Sequence, residues 1–184
     1  MTMVKSFQFC PMCAAPMAVK LSGMDAHPRD VCSNCGYVHY VNPLPVVGTV
    51  PVWGDKVLLC RRAIEPRKGF WTLPAGFMET NETLKEGAAR ETREESGAHI
   101  VVKELLTLID VPLASPSQVH FYFVAELQDL DWNPGPETLE QRLFSEDEIP
   151  WDEISFTTVK TTLKHYFSDR RVGHLSLHSY TLNC

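Results

Sequence analysis

Four cysteines in two matched pairs constrain the first 40 residues of this chain more than any other feature. Cys10-Pro-Met-Cys13 and Cys32-Ser-Asn-Cys35 are C-x2-C knuckles separated by 18 residues. Each knuckle can turn two thiolates toward one point, and two knuckles complete a tetrahedral site suited to zinc. Gly36 follows the last cysteine, where a tight turn favours a residue without a side chain. Four thiolates leave no open position for water, so the expected zinc is structural. A segment of about 40 residues buries little core, and a metal can supply the missing folding energy. The alternative, four reduced and buried cysteines, does not explain the paired spacing. His27 and His39 lie nearby, but the cysteines already fill the shell, so these histidines are read as surface or supporting groups.

The chain has 184 residues, enough for one ordinary domain plus a small accessory module. Hydrophobic residues at 44% and charged residues at 22% exclude a collagen-like or disordered chain and leave material for a core. The start, MTMVKSFQFCPMC, lacks the apolar centre of a signal peptide, so a cytoplasmic location is expected. In that compartment six cysteines do not read as a disulfide framework. Cys60 sits in the apolar run VLLC and is a core candidate, and Cys184 has no assigned role. The longest uncharged stretch, residues 31–54, carries Ser33, Asn34, Asn42 and three prolines, which argues against a membrane span. A net charge of -6 argues against a broad electrostatic grip on nucleic acid. Residues 1–40 hold only Lys5, Lys20 and Arg29 as fixed positive charges.

Asn42-Pro43-Leu44-Pro45 reads as a stiff connector. VVGTVPVW and KVLLCRR are apolar runs joined by Gly54-Asp55, a two-residue hairpin turn. EPRKGFWTLPAGF, rich in Gly and Pro, reads as loop. Thr80 to Ser96 is a helix candidate, with Thr80 or Asn81 as its cap and Gly97 closing it. HIVVKELLTLIDV and SQVHFYFVAEL read as strands, QDLDWNPGPETLE as a polar loop, and QRLF as a short strand. Phe156, Val159, Leu163, Tyr166 and Phe167 recur at helical spacing. VGHLSLHSYTL alternates and is a candidate edge strand. Strands with flanking helices give an α+β, sandwich-like domain behind a small ribbon.

On the helix candidate, Glu91, Glu94 and Glu95 stand at i, i+3 and i+4 and share one side. Like charges at that spacing cost an isolated helix roughly 0.2–0.5 kcal/mol per pair. Arg90 and Arg93 offset part of this, and a hard cation such as Mg2+ or Mn2+ would offset more. A solvated charged face is the competing reading.

Written out, the segment is Gly76-x5-Glu82-x7-Arg90-Glu91-Thr92-x-Glu94-Glu95-x-Gly97-Ala98. It resembles the Nudix box, G-x5-E-x7-R-E-U-x-E-E-x-G-U, in which U is a bulky aliphatic residue. Thr92 and Ala98 depart from the pattern at the two U positions, which concern packing. The resemblance implies a loop-helix-loop on an α/β/α sandwich and hydrolysis of a nucleoside diphosphate linked to a second group. It places Glu91 and Glu95 as main ligands of Mg2+ or Mn2+, with Glu94 as a further ligand or base. The carbonyl of Ala75 or Gly76 can join them. Gly76, Glu82, Arg90 and Gly97 fall at structural positions, Glu82 and Arg90 as braces of loop and helix. Glu91, Glu94 and Glu95 are thus the catalytic candidates. A downstream acidic position falls on Glu137, with Glu140 as the alternative and an ordinary loop carboxylate as the competing reading.

The resemblance extends over roughly residues 7 to 170. It divides the chain into a zinc ribbon over 1–41, a Nudix hydrolase domain over 42–170 and a tail over 171–184. A four-cysteine ribbon ahead of a Nudix domain occurs in NADH pyrophosphatases and in a group of FAD/ADP-ribose pyrophosphatases. The NADH enzymes carry SQPWPFPxS after the box, whereas here Ser117-Gln118 is followed by Val-His-Phe. NPLPVVG, GFWTLPAGFMET and NPGPETLEQRLFSEDEIP are similar to the FAD/ADP-ribose group. The expected substrate is therefore FAD or ADP-ribose, giving AMP plus FMN or ribose 5-phosphate. NADH pyrophosphatase or removal of NAD caps from RNA is the first alternative, and a nucleic-acid-binding regulator with this fold the second.

Phe70, Trp71 and Phe77 surround the loop before the helix, where an adenine or flavin ring could stack; packing of the loop is the plainer reading. Arg61, Arg62, Arg67 and Lys68 form a basic cluster beside the acidic helix, with Arg61 and Arg62 as candidate phosphate contacts. The expected partner is a small nucleotide, with no nucleic acid and no membrane. Similar enzymes are often homodimers, and the tail from Val172 could add an intersubunit strand.

Overall fold

The computed structural model describes residues 7–21 and 26–182. Lys5 and Cys184 lie outside the described residues. The chain divides into two compact units, the first formed by residues up to Pro43 with Ser115–Ser117, the second by Leu44–Ala114 and the residues from Gln118 onward.

The first unit is a three-stranded antiparallel sheet of β1 (Met17–Leu21), β2 (Pro28–Cys32) and β3 (Val38–His39), in that order. Among its described residues only Cys10 and Cys32 are buried hydrophobic side chains. Phe9, Val19, Leu21 and Tyr40 are exposed. A sheet this small has no apolar centre, and its cysteines occupy the place where a core would be.

The second unit is built on one large sheet. Its elements are β4 (Leu44–Trp53), β5 (Lys56–Arg62), β6 (Trp71–Thr72), β7 (Ala75–Phe77), α1 (Leu84–Ser96), β8 (Ile100–Val111), β9 (Gln118–Leu127), β10 (Thr138–Phe144), α2 (Thr157–Val172) and β11 (His178–Thr181). The strand order is β10-β5-β4-β9-β8-β11, with β6 beside β5 and β7 beside β4. Central β4 runs parallel to β9 from Leu44 to Val52 and is buried continuously from Val46 to Pro51. That continuity is expected of a strand covered on both faces. Val47 packs with Ala88 of α1 and with Phe123 on one face. Val50 joins Val159, Leu163, Tyr166 and Phe167 of α2 on the other. The sheet is therefore the middle layer of an α/β/α sandwich. Burying each large side chain of that α2 stripe contributes roughly 1.5–3 kcal/mol.

Several elements differ from the sequence expectation. Helix α1 starts at Leu84, not Thr80, and its cap is Thr83, whose hydroxyl accepts from the Glu86 N–H while the Glu86 carboxylate accepts from the Thr83 N–H. Asn81 cannot be helical, because its φ of +68° is left-handed. Gly97 closes the helix at φ +70° and donates its N–H to the Arg93 carbonyl. The expected loop between β5 and α1 contains β6 and β7, too short for any periodic signal and held by pairing with β5 and β4. Strand β10 begins three residues before QRLF.

The tail is an edge strand of its own sheet, which corrects the intersubunit expectation. Strand β11 runs parallel to β8, His178 opposite Thr107 and Thr181 opposite Asp110. Asp169 of α2 accepts from the Ser176 N–H at 2.8 Å and lies 2.9 Å from His178 Nε2. His178 stacks on His165 at 3.9 Å. Helix α2 continues to Val172, past the expected boundary at 170.

Candidate active site

In the ribbon, Cys10 and Cys13 lie in the loop before β1, Cys32 ends β2, and Cys35 follows in the turn. All four Sγ atoms lie within 4.8 Å of one another. The Cys10–Cys35 and Cys13–Cys32 pairs are 3.6 and 3.5 Å apart. A tetrahedron with bonds near 2.3 Å has sulfur edges of roughly 3.8 Å, so the donor set fits zinc. The N–H groups of Cys35 and Asn34 point at the Cys32 sulfur at 3.4 Å each. They hold that thiol down to about 6, which favours the thiolate a metal requires.

The acidic chemistry lies on α1. Glu91, Glu94 and Glu95 line one chamber of about 700 Å3, with Glu137 and Glu79 completing its acidic wall. Arg62 and Arg90 also border it, as do Ala75 and Gly76. Five carboxylates thus face two guanidiniums. Burial pushes the Glu95 carboxyl up to about 8, and the charges of Glu91 and Glu137 push the same way against Arg62. Glu91 is raised as well, first by burial. Crowded hard oxygens with too little positive charge among them fit a divalent cation. Among the described residues only the four sulfurs gather three or more such donor atoms within 4.8 Å. Two of the glutamates are instead turned onto Arg90.

Arg90 is the hub of the loop and helix. Its Nη1 donates to Glu91 Oε1 at 2.8 Å and to Glu94 Oε2 at 3.0 Å. Its Nε and Nη2 donate to the two oxygens of Glu82 at 3.0 and 2.8 Å. Nη2 also donates to the Phe77 carbonyl at 3.1 Å. The fork geometry of a guanidinium suits this bidentate brace. Arg90 holds Glu82 well down, to about 2.

Beside the acidic chamber lies a second, largely apolar one of about 460 Å3. The two share Arg62, Ala75, Gly76 and Phe77. Phe77 is 52% exposed, a large aromatic surface at the seam. Arg62 is pinned there by donation from Nε to the Pro66 carbonyl at 2.8 Å, with its guanidinium 5.1 Å from the Phe156 ring centre.

Three expected ligand contacts are not at either chamber. Trp71 is a core residue, 6% exposed and edge-on to Phe144 at 4.9 Å, because β6 faces it inward. Phe70 lies under the Arg67 guanidinium, 5.4 Å from its ring centre. Arg61 donates to the Gly69 carbonyl at 2.9 Å and pairs with Glu140 at 3.4 Å. That pairing also removes Glu140 as the alternative to Glu137. His39 packs on Phe7 with ring centres 4.2 Å apart. Residues 156–158 and Leu182 line the apolar chamber and were not anticipated. They come from distant segments, and the one local hint was a phenylalanine where a helix needs a capping side chain.

Residues 42–164 match the family described as NUDIX domain, and residues 8–41 match the one described as Nudix N-terminal. A NAD-capped RNA hydrolase NudC from Vibrio parahaemolyticus is 29% identical over 168 residues, covering 91% of this chain and 62% of that protein. One from Salmonella typhi is 32% identical over 152 residues, covering 79% and 54%. The chain thus spans between about half and three fifths of these relatives' length. The crystal structure of a NUDIX hydrolase from Nitrosomonas europaea superposes with a TM-score of 0.92 at 46% identity, over 97% of this chain and 100% of that one. An ADP-ribose pyrophosphatase from Streptococcus suis, at 20% identity, TM-score 0.63, and 76% and 100% coverage, shares the fold. With its box, its sandwich and its ribbon accounted for, this chain belongs to the Nudix family.

Proposed function

We propose that this chain hydrolyses the pyrophosphate bond of an adenosine dinucleotide with Mg2+ or Mn2+, and that a nicotinamide dinucleotide, free or as an RNA cap, is its first substrate class. The observation that carries the reading is the seam at Arg62, Gly76 and Phe77, where an acidic chamber opens into an apolar one. A ligand with an anionic centre and a planar ring fits such a pair. The curated relatives support nicotinamide, since each is named as a NAD-capped RNA hydrolase. FAD or ADP-ribose is the second reading, supported by Val119-His120-Phe121 in place of the NADH enzymes' motif.

Glu91, Glu95 and Glu137 would hold the cation, with Glu94 beside them. Once bound, it neutralises phosphate charge and lowers the pKa of a coordinated water. The chain's own groups do the rest. Arg62 sets a positive charge at the seam, beside the scissile phosphates. Arg90 orients Glu91 and Glu94. Glu94, with its side chain 58% exposed, is placed to take the proton of the attacking water, which requires an approach to about 3 Å. Water oxygen bonds to one phosphorus, the bridging P–O bond breaks, and two monophosphates leave. NADH yields AMP and reduced nicotinamide mononucleotide.

The test is a panel of NADH, NAD, NAD-capped RNA, FAD, ADP-ribose and nucleoside triphosphates with Mg2+ or Mn2+, following AMP or capped-end release. Dinucleotides should react well ahead of triphosphates, and Glu95→Gln should abolish most turnover with the fold retained. Near-normal rates in that variant would remove Glu95 from the site. A preference for FAD or ADP-ribose would reverse the substrate order and keep the reaction.

A further inference from the structure

The inner end of the apolar chamber is an edge of hydrogen-bond donors. Helix α2 begins at Thr157 behind Phe156, which offers no side-chain cap. The first N–H groups of a helix have no intrahelical acceptor and carry the positive end of its dipole. Phe156, Thr157 and Thr158 border the chamber. Independently, Thr158 is 5% exposed and its hydroxyl has no hydrogen-bond partner among the described residues. It faces the buried Tyr122 phenol without closing a bond of ordinary length. A buried hydroxyl left unmet in this way points to a missing partner. Arg62 adds a third donor at the mouth, and no aspartate or glutamate among the described residues lines this chamber.

The occupant that meets these donors must bring an acceptor. A phosphate is a poor choice at the inner end, because Val46, Val111, Leu113 and Leu182 form the walls and would strip its water. A neutral carbonyl on a flat ring satisfies both the donors and the walls. Nicotinamide has one in its carboxamide, and flavin has two on its pyrimidine edge. Adenine has none, and a bare ribose leaves the apolar walls uncovered.

We infer that the uncapped start of α2 and the Thr158 hydroxyl select a carbonyl-bearing ring, nicotinamide or flavin, over adenine, so that the non-adenylyl half of the substrate occupies the apolar chamber. The inference rests on the proposed function for the identity of the whole substrate, and its ring preference is measurable without turnover. FMN, nicotinamide mononucleotide and AMP each carry one phosphate and differ in the ring. Their binding to the zinc-loaded chain is compared by calorimetry without added magnesium or manganese. FMN and nicotinamide mononucleotide should bind at least about fivefold more tightly than AMP, the effect of one hydrogen bond. Thr158→Val should bring all three to within about twofold of one another, and Thr158→Ser should restore the preference. In turnover, Thr158→Val should raise KM for NADH about fivefold more than for ADP-ribose. AMP binding as tightly as FMN, or an equal effect of Thr158→Val on all three ligands, overturns the inference. A ring preference without hydrolysis of any dinucleotide upholds it and removes the proposed function instead.

Discussion

Gly76 lies so close to Glu91 that a β-carbon built on it would meet the Glu91 carboxylate carbon at 2.4 Å. The end of β7 and the inner face of α1 are thus fitted together at one side chain. The atoms in the way belong to the far end of a flexible glutamate, so an added methyl group displaces the carboxylate rather than the backbone. Gly76→Ala should therefore melt close to the parent while turnover falls by about 100-fold, the scale of a misplacement near 1 Å. Melting curves beside AMP release measure both. Full activity in this variant would mean that the position of Glu91 does not matter.

The fixed positions of the box were legible because their chemistry is local to one helix and its entry loop. Thr92 was not. A polar residue at a bulky aliphatic position reads as a defect in a linear pattern, yet Thr92 is fully buried. Its hydroxyl donates to the Ala88 carbonyl at 2.8 Å, so the 2.7 Å contact with Thr49 is a bond donated by Thr49. The partner lies 43 residues away on β4, and no spacing rule reaches that far. The apolar chamber escaped notice for the same reason, since β4, β9, α2 and the tail each supply a piece. Gly54-Asp55 and Gly97, where one residue type sets the backbone, were read correctly from the sequence. Trp71 was misplaced because an aromatic side chain beside an active-site loop looks the same in sequence whether it faces in or out.

The Thr49–Thr92 pair makes a testable double-mutant cycle. Thr92→Val leaves the Thr49 hydroxyl buried without an acceptor, which costs about 1–3 kcal/mol. Thr49→Val/Thr92→Val replaces both by apolar groups of similar shape and should recover most of that loss. Urea unfolding of the four chains gives the coupling. Additive losses would show that the hydroxyls do not depend on each other.

Removing zinc should affect stability before chemistry. The ribbon buries no large apolar side chain among its described residues, so its fold depends on the metal that the four sulfurs accommodate. Cys32→Ser should lower zinc content to background and abolish a cooperative transition, while kcat changes less than stability. Metal analysis and calorimetry decide the matter, and a variant that melts like the parent would separate zinc from folding.

The remaining prediction concerns pH. His120 lies on β9 at the apolar chamber, and burial pushes its imidazole down to about 4. Its Nε2 is 2.8 Å from Gln118 Oε1, and its Nδ1 is buried without a partner among the described residues. The folded protein therefore keeps this ring neutral at pH values where the unfolded chain, with an ordinary value of 6.5, takes up a proton. A folded value below the unfolded one gives stability that is fully present above pH 6.5. It is lost as pH falls from 6.5 toward 4, by at most roughly 3 kcal/mol. Below pH 4 both states are protonated, and this group changes nothing further. His165 is also lowered by burial and the nearby His178 charge, so it acts in the same direction. His120→Asn should accordingly flatten the fall in melting temperature between pH 6.5 and 4 without abolishing it. Parallel slopes for the two proteins would mean that His120 is as easily protonated in the folded state as in water.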